Sequence, residues 1–390
     1  MGLLAVDGRI RVVVAANFVA VAARMCLVTF IGIYFVRVAG ISLATVGAAF
    51  LAESLLRGTL APLFGALSDR VGRRVLLLVS ALATAAVLPC FLLVRDPASL
   101  FAWSVALGTV GAVNMPVATA LLLDLAPPER RQAVLAVNYT GMSVAYTLGV
   151  MPAGYVAEQG YGLLAAIAAA GYLVVAALYG AAFRGPAGAP HAEENLLVAS
   201  LAVLKNRVFL GFAALAFVFP FAMGQIVTVS PLYAAERGLT EGYIGLVLGG
   251  NSILVALFAV PVAARIEIGG PFRPLGAAAL LVAAALVCYA WIPSAAAAYL
   301  AGTVVFSFGE IVFSSSVPAA VARLAPAGRR GAYQGGWTLV QSLAMGSALV
   351  LSGMLRDLAG WPYVWTAWAA LVVAGGLGLF IARDFFLRAQ

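Results

Sequence analysis

Apolar residues occur along the chain in long segments that are separated by short polar or charged breaks. Each segment contains about 20 residues, the length that a helix needs to cross the hydrocarbon core of a bilayer. The pattern therefore predicts an all-α membrane protein with twelve transmembrane helices. The predicted helices lie at 11–36, 43–67, 75–94, 99–124, 133–156, 161–183, 208–233, 243–265, 274–292, 295–320, 333–355 and 361–383.

The composition supports this prediction, because 64% of the 390 residues are hydrophobic and only 10% are charged. A soluble globular domain has about a quarter charged residues, which cover its apolar core. Here the lipid bilayer must act as the solvent for most of the chain. We therefore exclude a cytosolic enzyme, a secreted disulfide scaffold and a disordered regulator.

The net charge of +8 indicates topology rather than nucleic-acid binding, because basic residues mark the cytoplasmic loops of membrane proteins. With the N-terminus in the cytoplasm, most lysines and arginines fall on the inner side. The outer loops contain only Arg37, Arg95, Arg237 and Arg356. We predict a multi-pass protein of the cell (inner) membrane with both termini cytoplasmic and with no nucleic-acid partner.

The cysteines and the histidine predict no metal or redox site. Cys26, Cys90 and Cys288 are far apart, and no CxxC spacing occurs. The single histidine, His191, lies in a polar segment between two predicted helices. Because no cluster of His, Asp, Glu or Cys predicts a catalytic centre in the membrane, we expect neither a bound metal nor enzyme activity.

The two halves of the chain resemble each other at an offset of 199 residues. Residues 125–133 match 324–332 in a segment rich in proline and arginine, which hydrophobic composition does not supply by chance. Further matching pairs are Tyr34 and Tyr233, Pro62 and Pro261, and Gly154 and Gly353. The repeat predicts an N-terminal six-helix bundle (1–183), a cytoplasmic linker (184–207) and a C-terminal six-helix bundle (208–390). A parallel duplication of this kind places the substrate site near the membrane midplane.

The segment between the second and third predicted helices, residues 65–74, reads GALSDRVGRR. It resembles the signature loop of the major facilitator superfamily, whose pattern is G-x-L-[SA]-D-R-x-G-R-[RK], and every position fits. The Pro-x-x-Arg-Arg segments after the fourth and tenth helices are also similar to this family. The resemblance covers the whole chain and implies twelve helices in two pseudo-symmetric six-helix bundles.

The resemblance implies a conformational role for residues 65–74, which we call the latch loop. Gly65 and Gly72 would permit a close helix approach and a tight turn. Asp69 would bond to the N-terminal end of the eleventh helix, where backbone N–H groups carry partial positive charge. Such contacts would hold the two bundles in the outward-open state and would be released during transport.

Three arginines of the latch loop are candidates for a second contact. Asp124, at the inner end of the fourth helix, would pair with one of them. The three candidate arginines are Arg70, Arg73 and Arg74. The alternative is a merely solvated basic loop, since exposed charge pairs contribute little to stability.

The fifth predicted helix gives weaker information about function. Drug/proton antiporters of this superfamily often carry G-x-x-x-G-P-x-x-G-G at this place. This chain has instead Gly141, Ala145, Gly149, Pro152 and Gly154, so the motif is broken although one face stays small. Close helix packing is a sufficient explanation for that face.

Ionisable residues inside the predicted helices are rare. There are four of them near mid-depth: Arg24, Glu53, Arg57 and Glu310. A charged side chain costs about 2.5–3.5 kcal/mol at a helix centre on insertion scales, so each needs a partner or a wet cavity. The i, i+4 spacing of Glu53 and Arg57 favours an intrahelical ion pair. For Glu310 two roles stay open, namely carrying a coupling proton or pairing statically with an arginine.

In this superfamily the first, fourth, seventh and tenth helices line the central cavity. Their polar residues near mid-depth are candidate substrate-binding or coupling residues. These are Arg24, Asn114, Gln225 and Glu310, with Asn17 two turns before Arg24. Glu53 and Arg57 complete the candidate set. One strong polar group on each lining helix predicts a site for a polar or amphiphilic solute.

Together these observations predict a secondary active transporter that moves a small solute by alternating access. No G-x-x-x-x-G-K-[ST] segment occurs, so we expect an ion gradient, with protons as the ion, and no cofactor. Our first hypothesis is proton-coupled export of a small amphiphilic molecule by a monomer. The alternative is uptake or exchange of an organic anion bound by Arg24 and Arg57. A channel is less favoured, because two pseudo-symmetric bundles suit rocking better than a constant pore.

Overall fold

The computed structural model describes residues 8–127, 130–182, 203, 205–269, 271–326 and 330–388. Within these ranges the chain forms twelve long helices and one short helix, and it contains no strand. The long helices are α1 (Gly8–Arg37), α2 (Leu43–Val71), α3 (Arg73–Leu93), α4 (Pro97–Leu125), α5 (Arg131–Gln159), α6 (Tyr161–Ala182), α7 (Arg207–Glu236), α8 (Glu241–Gly269), α9 (Phe272–Trp291), α10 (Ala295–Leu324), α11 (Arg330–Ala359) and α12 (Trp361–Ile381). The short helix is α13 (Arg383–Arg388).

Each predicted span coincides with one long helix, and the predicted and observed ends differ by at most four residues. Eleven of these helices are long and apolar enough to cross a membrane. The exception among the described segments is α5, whose sequence includes the polar residues Asn138, Thr140 and Ser143. The predicted all-α, membrane-spanning fold class is confirmed.

Polar residues at the breaks determine where several helices begin. The Asp96 carboxylate accepts the backbone N–H of Ser99 at 3.0 Å, and Pro97 occupies the first position of α4. Hydrogen bonds from Ser99 hold the pKa of Asp96 below its usual value. Asn206 caps α7 in the same manner, by accepting the backbone N–H groups of Val208 and Phe209.

Two of the long helices are irregular. The last turns of α3, Leu88–Leu93, are 3₁₀-helical, and α7 contains a π-helical segment at Gln225–Val229. Segments of π-helix are rare in proteins, and those that occur often lie at functional sites. The candidate residue Gln225 is the first residue of this segment.

The described residues fall into two compact units. Unit 1 contains those within 1–41, 52–192 and 241–249, and unit 2 contains those within 42–51, 193–240 and 250–390. The predicted division into 1–183 and 208–390 remains a prediction, because most of the connecting segment 184–207, including His191, lies outside the described residues.

Small residues permit close helix packing inside unit 1. Here α1 packs against α5 and α6, and α3 packs against α4 and α6. A Cβ atom added to Gly149 of α5 would lie 2.5 Å from the carbonyl oxygen of Ala22. One added to Gly171 of α6 would lie 2.6 Å from the Ala23 Cβ. The small face of α5 therefore serves the packing of α1.

Unit 2 is built in a comparable way. Here α9 packs against α10 and α12, and α11 packs against the middle of α7. A Cβ atom added to Gly224 of α7 would lie 2.8 Å from the carbonyl oxygen of Met345 on α11. Gly302 of α10 approaches α9 closely, since its Cβ would lie 3.1 Å from the carbonyl oxygen of Ala285.

The tyrosines that match in the sequence repeat make equivalent hydrogen bonds. The Tyr34 hydroxyl donates to a carbonyl oxygen in the last turn of α3 at 3.4 Å, and the Tyr233 hydroxyl donates to one near the end of α9 at 2.6 Å. Each hydroxyl also accepts from an arginine, Arg95 at 3.2 Å and Arg237 at 2.6 Å. The internal repeat therefore has a structural counterpart in both units.

The matching glycines of the repeat also have equivalent surroundings. Within unit 1, a Cβ on Gly154 of α5 would lie 2.7 Å from the carbonyl carbon of Glu241 in the first turn of α8. Within unit 2, a Cβ on Gly353 of α11 would lie 2.7 Å from the backbone nitrogen of Ala44 in the first turn of α2. In each unit a helix start thus rests on a glycine of the partner helix.

Candidate functional site

Two charged side chains meet across α1 and α2 in unit 1. The Arg24 Nη2 atom donates to Glu53 Oε1 at 2.9 Å, and the two side chains are only 16% and 10% exposed. The Tyr172 hydroxyl on α6 lies close enough to Arg24 to interact with it electrostatically. Arg24 therefore interacts with side chains on two neighbouring helices.

The second mid-helix arginine is held less firmly. Arg57 Nε lies 3.7 Å from the same carboxylate oxygen of Glu53, and its Nη2 atom donates to the Ser54 hydroxyl at 3.3 Å. Its side chain is 38% exposed. The intrahelical contact predicted from the i, i+4 spacing is present, but it is longer than the interhelical bond from Arg24. We call Arg24, Glu53, Arg57 and Tyr172 the charge cluster.

Glycines on α4 make room for the charge cluster. A Cβ atom on Gly108 would lie 2.8 Å from the Glu53 carbonyl oxygen, so α4 and α2 are in close contact there. One on Gly111 would lie 3.3 Å from Arg24 Nη1 and 3.6 Å from Arg57 Cδ. Asn114 follows one turn later on α4, is half-buried and makes no side-chain hydrogen bond to a described residue.

Glu310 lies on α10 in unit 2 and is 8% exposed. Its Oε2 atom accepts from Asn251 Nδ2 on α8 at 3.0 Å, and the same amide nitrogen donates to the Ser307 hydroxyl oxygen at 2.8 Å. The Ser307 hydroxyl in turn donates to the Thr303 carbonyl oxygen at 2.8 Å. We call Glu310, Asn251 and Ser307 the carboxylate cluster.

The neighbours of Glu310 within unit 2 are polar and uncharged. Among the described residues of unit 2, no Arg or Lys lies within ion-pair distance of its carboxylate. Within unit 2 the carboxylate is bound by the Asn251 amide of α8 instead of by an arginine.

Two other candidate residues have structural partners. Asn17 Nδ2 donates to the side-chain Oδ1 atom of Asn138 on α5 at 2.9 Å, in a buried pair. Gln225 is fully buried, and its Oε1 atom accepts from the Ser352 hydroxyl at 2.9 Å, which in turn accepts from Trp368 Nε1. The Gln225 side chain therefore crosslinks α7, α11 and α12 in this structure rather than lining a cavity.

The arginines of the latch loop contact three different groups. Arg73 forms the ion pair with Asp124 that was proposed for one of the three arginines. Arg74 instead donates to the carbonyl oxygens of Tyr179 at 3.2 Å and Gly180 at 2.8 Å, at the end of α6. Arg70 is exposed. The contacts thus join the start of α3 to the ends of α4 and α6, and their release during transport stays a prediction.

The two glycines of the latch loop differ in their surroundings. Gly72 separates α2 from α3 with a φ of 96°, a left-handed conformation that favours glycine, so the predicted tight turn is present. Among the described residues, no heavy atom lies within 4 Å of a Cβ atom placed on Gly65, so no described helix approaches it closely. The Asp69 side chain lies outside the described part of the chain.

Sequence reasoning missed several residues of these clusters. In the sequence, nothing distinguishes Tyr172 from other aromatic residues of apolar helices. Its proximity to Arg24 depends on the packing of α6 against α1. Asn251 carried a usable signal, because a lone amide in the apolar middle of α8 needs a hydrogen-bonding partner. Among the described residues, no group of three or more His, Cys, Asp or Glu could hold a metal ion.

The sequence matches the family model described as Major Facilitator Superfamily over residues 13–300 and 234–388, which is nearly the whole chain. The chain belongs to the major facilitator superfamily. It is therefore a multi-pass membrane transporter of small molecules and not an enzyme.

Two curated relatives are similar to this superfamily member along most of its length. The "Na(+), Li(+), K(+)/H(+) antiporter" of Planococcus maritimus is 24% identical over 402 residues, which cover 86% of this chain and 90% of the relative. "Major facilitator superfamily domain-containing protein 10" of Homo sapiens is 25% identical over 369 residues, covering 88% of this chain and 77% of the relative.

Solved structures of the superfamily share the fold of this chain. The nucleoside transporter NupG superposes with a TM-score of 0.83 at 12% identity, covering 97% of this chain and 99% of NupG. A bacterial homologue of the human lysosomal transporter Spinster superposes with a TM-score of 0.75 at 14% identity, with coverages of 98% and 96%. At these identities the similarity shows the fold alone.

Proposed function

We propose that this superfamily member is a secondary active transporter that couples solute movement to the proton gradient through Glu310. The first candidate activity is export of a small amphiphilic molecule by alternating access. One observation carries the proposal: the buried Glu310 carboxylate is held by a neutral amide and has no cationic partner among the described residues of its unit.

The physical argument concerns charge within the membrane. An ionised carboxylate without a cation is costly there, whereas the protonated acid carries no net charge. Both forms can accept the hydrogen bond from Asn251, so proton binding and release do not require the carboxylate cluster to break. A carboxylate fixed by an arginine would lack this freedom.

A relative supports coupling to protons. The Planococcus maritimus protein carries the name of a cation/proton antiporter, and its similarity extends over 86% of this chain. An antiporter that takes up protons would drive export of the second solute. An amphiphilic solute would suit mid-helix polar groups that are surrounded by apolar helix surfaces.

The test uses proteoliposomes with an imposed pH gradient and a pH-sensitive dye. Ethidium serves as the amphiphilic probe, and sodium and potassium salts are tested in parallel. We expect solute-dependent proton flux in the wild type and its loss in Glu310→Gln. The matched control is Glu158→Gln, a carboxylate at the outer end of α5, which should retain the flux. Unchanged proton coupling in Glu310→Gln would reject the proposal.

The charge cluster favours a second candidate function, uptake or exchange of an organic anion. It contains two arginines for one glutamate, so one positive charge is not balanced within it. A solute-driven flux that requires a carboxylate on the solute and is independent of the pH gradient would support this candidate over the first.

The membrane location and assembly are also proposals. The excess of basic residues on one side supports cytoplasmic termini in the inner membrane. Reporter fusions at the C-terminus test this: a fluorescent protein should fold there and alkaline phosphatase should stay inactive. Light scattering of the purified protein tests the proposed monomer, since a dimer would double the protein mass.

A further inference from the structure

The charge cluster has a charge imbalance at mid-depth of unit 1. Arg24 and Arg57 share a single carboxylate oxygen, Glu53 Oε1, at 2.9 and 3.7 Å. With both guanidinium groups charged, the three side chains carry a net charge of +1. An unbalanced charge among membrane helices needs a counter-ion or a wet cavity, and it marks a functional site by default.

The two arginines differ in how far their hydrogen-bonding capacity is used. Arg24 is 16% exposed, donates a hydrogen bond to Glu53, and interacts electrostatically with Tyr172 on a third helix. Arg57 is 38% exposed, lies farther from the carboxylate, and has its other contact with Ser54 one turn earlier on its own helix. The unused donors and the exposed surface therefore belong to Arg57.

The surroundings of Arg57 leave space for a ligand and offer it further polar groups. Gly111 presents no side chain beside the Arg57 Cδ atom, where a Cβ would be 3.6 Å away. Asn114, one turn along α4, has an amide with no side-chain hydrogen bond to a described residue. Ser54 supplies a hydroxyl next to the guanidinium group.

We propose that Arg57 binds the carboxylate of a singly charged organic anion, and that Arg24 is a positioning residue that keeps Glu53 away from Arg57. The inference rests on the second candidate function, because it names the residue that binds the organic anion and the charge of that anion. It assigns the direct contact with the anion to Arg57 alone, whereas the sequence analysis proposed both Arg24 and Arg57 as ligands.

The geometry also limits the charge of the ligand. A guanidinium group presents paired donors that match a carboxylate, which gives the contact its direction. One carboxylate brings the net charge of the cluster from +1 to zero. A second carboxylate would leave an excess negative charge in the membrane, so the site should prefer monoanions to dianions.

The test measures thermal stabilisation of the purified protein at constant pH and ionic strength, without a gradient. The probes are benzoate and octanoate, their neutral amides, and the dianion phthalate. We expect the two monoanions to stabilise the wild type more than their amides and more than phthalate. In Arg57→Gln their affinity should fall by about tenfold to a hundredfold, the value of a charged hydrogen bond. Arg57→Lys keeps the positive charge and should therefore retain part of the affinity for the monoanions.

The positioning role of Arg24 has its own readout. In Arg24→Gln the Glu53 carboxylate is free to bind Arg57 and should compete with the anion. Adding Glu53→Gln to Arg24→Gln should therefore restore anion binding, which a loss of fold would not allow. Arg57→Gln leaves the neutral Arg24–Glu53 pair in place, so that variant should remain folded.

Three results would overturn the inference. They are the absence of stabilisation by either monoanion in the wild type, equal anion affinity in Arg57→Gln, and failure of Glu53→Gln to rescue Arg24→Gln. The proposed proton coupling is tested separately, because Glu310→Gln should lose proton flux but keep anion-dependent stabilisation. Loss of flux in Glu310→Gln together with unchanged anion binding in Arg57→Gln would retain the first proposal and reject this one.

Discussion

The contact between Gly154 and the first turn of α8 makes a sharp prediction for Gly154→Ala. The added Cβ would be nearest to the Glu241 carbonyl oxygen, and it would lie 2.7 Å from the carbonyl carbon of Glu241 and 3.0 Å from the Cα atom of Gly242. The distance to the carbonyl carbon is about 0.7 Å short of the 3.4 Å at which ordinary contact begins, and the distance to the carbonyl oxygen is shorter still. Both neighbours are backbone atoms, so no side-chain rotation can relieve the clash and the start of α8 must move.

The expected cost follows from comparable overpacking, which destabilises by about 1–3 kcal/mol. Alanine is the better helix former by up to about 1 kcal/mol, which offsets part of this cost. A net loss of about 1–2 kcal/mol corresponds to a factor of roughly 5–30 in the population of the closed contact. In Gly154→Ala the contact should therefore be open in a larger fraction of molecules, while unit 1 stays folded.

Hydrogen–deuterium exchange in detergent micelles measures this opening. The Gly242 amide donates to Glu158 Oε1 at 2.8 Å, so exchange across residues 241–249 should accelerate when the contact opens. The control is Gly162→Ala on α6, where an added Cβ meets no heavy atom within 4 Å and exchange should stay at the wild-type rate. If residues 241–249 exchange at the same rate in Gly154→Ala and in Gly162→Ala, the packing argument is refuted.

Three further predictions concern stability. Gly353→Ala should accelerate exchange across residues 43–51, because it produces the same clash at the start of α2; wild-type exchange there would contradict the structural repeat. Glu53→Gln should cost about 3 kcal/mol, because it leaves two arginines without a carboxylate; a denaturation midpoint equal to that of the wild type would contradict this. Asp96→Ala should lower the melting temperature at pH 7 by removing the cap of α4. Because the folded pKa of Asp96 is lowered from 3.8, the stabilisation exists above that pH and is lost below it, so the two melting temperatures should converge in acid.

Much of the fold was predictable because it depends on local properties of the sequence. The length of an apolar segment and the polar break after it are sufficient to place a membrane helix, and all twelve positions were found. Gly72 marked the turn between α2 and α3 for a similar reason, since a left-handed φ favours glycine. The pairing of Asp124 with an arginine of the latch loop required the family pattern in addition.

The candidate site was predicted only in part. The mid-helix charges were found by composition, because ionisable residues are costly in a membrane and are therefore few. Their partners were not found. Glu53 binds Arg24 more closely than the predicted Arg57, and Gln225 is buried against Ser352. No described residue approaches Gly65 closely, whereas Gly111, which sequence reasoning did not select, borders the charge cluster.

The physical reason for this division is the range over which each property acts. Hydrophobic length and helix caps are set by neighbouring residues, so the chain alone determines which segments become transmembrane helices. The partner of a charge depends on how each helix is rotated and how closely it approaches the next. These quantities are set by packing at residues such as Gly108 on α4 and the pair Asn17–Asn138. The folded arrangement therefore separates the two arginines into one residue bound by its neighbours and one with donors still available.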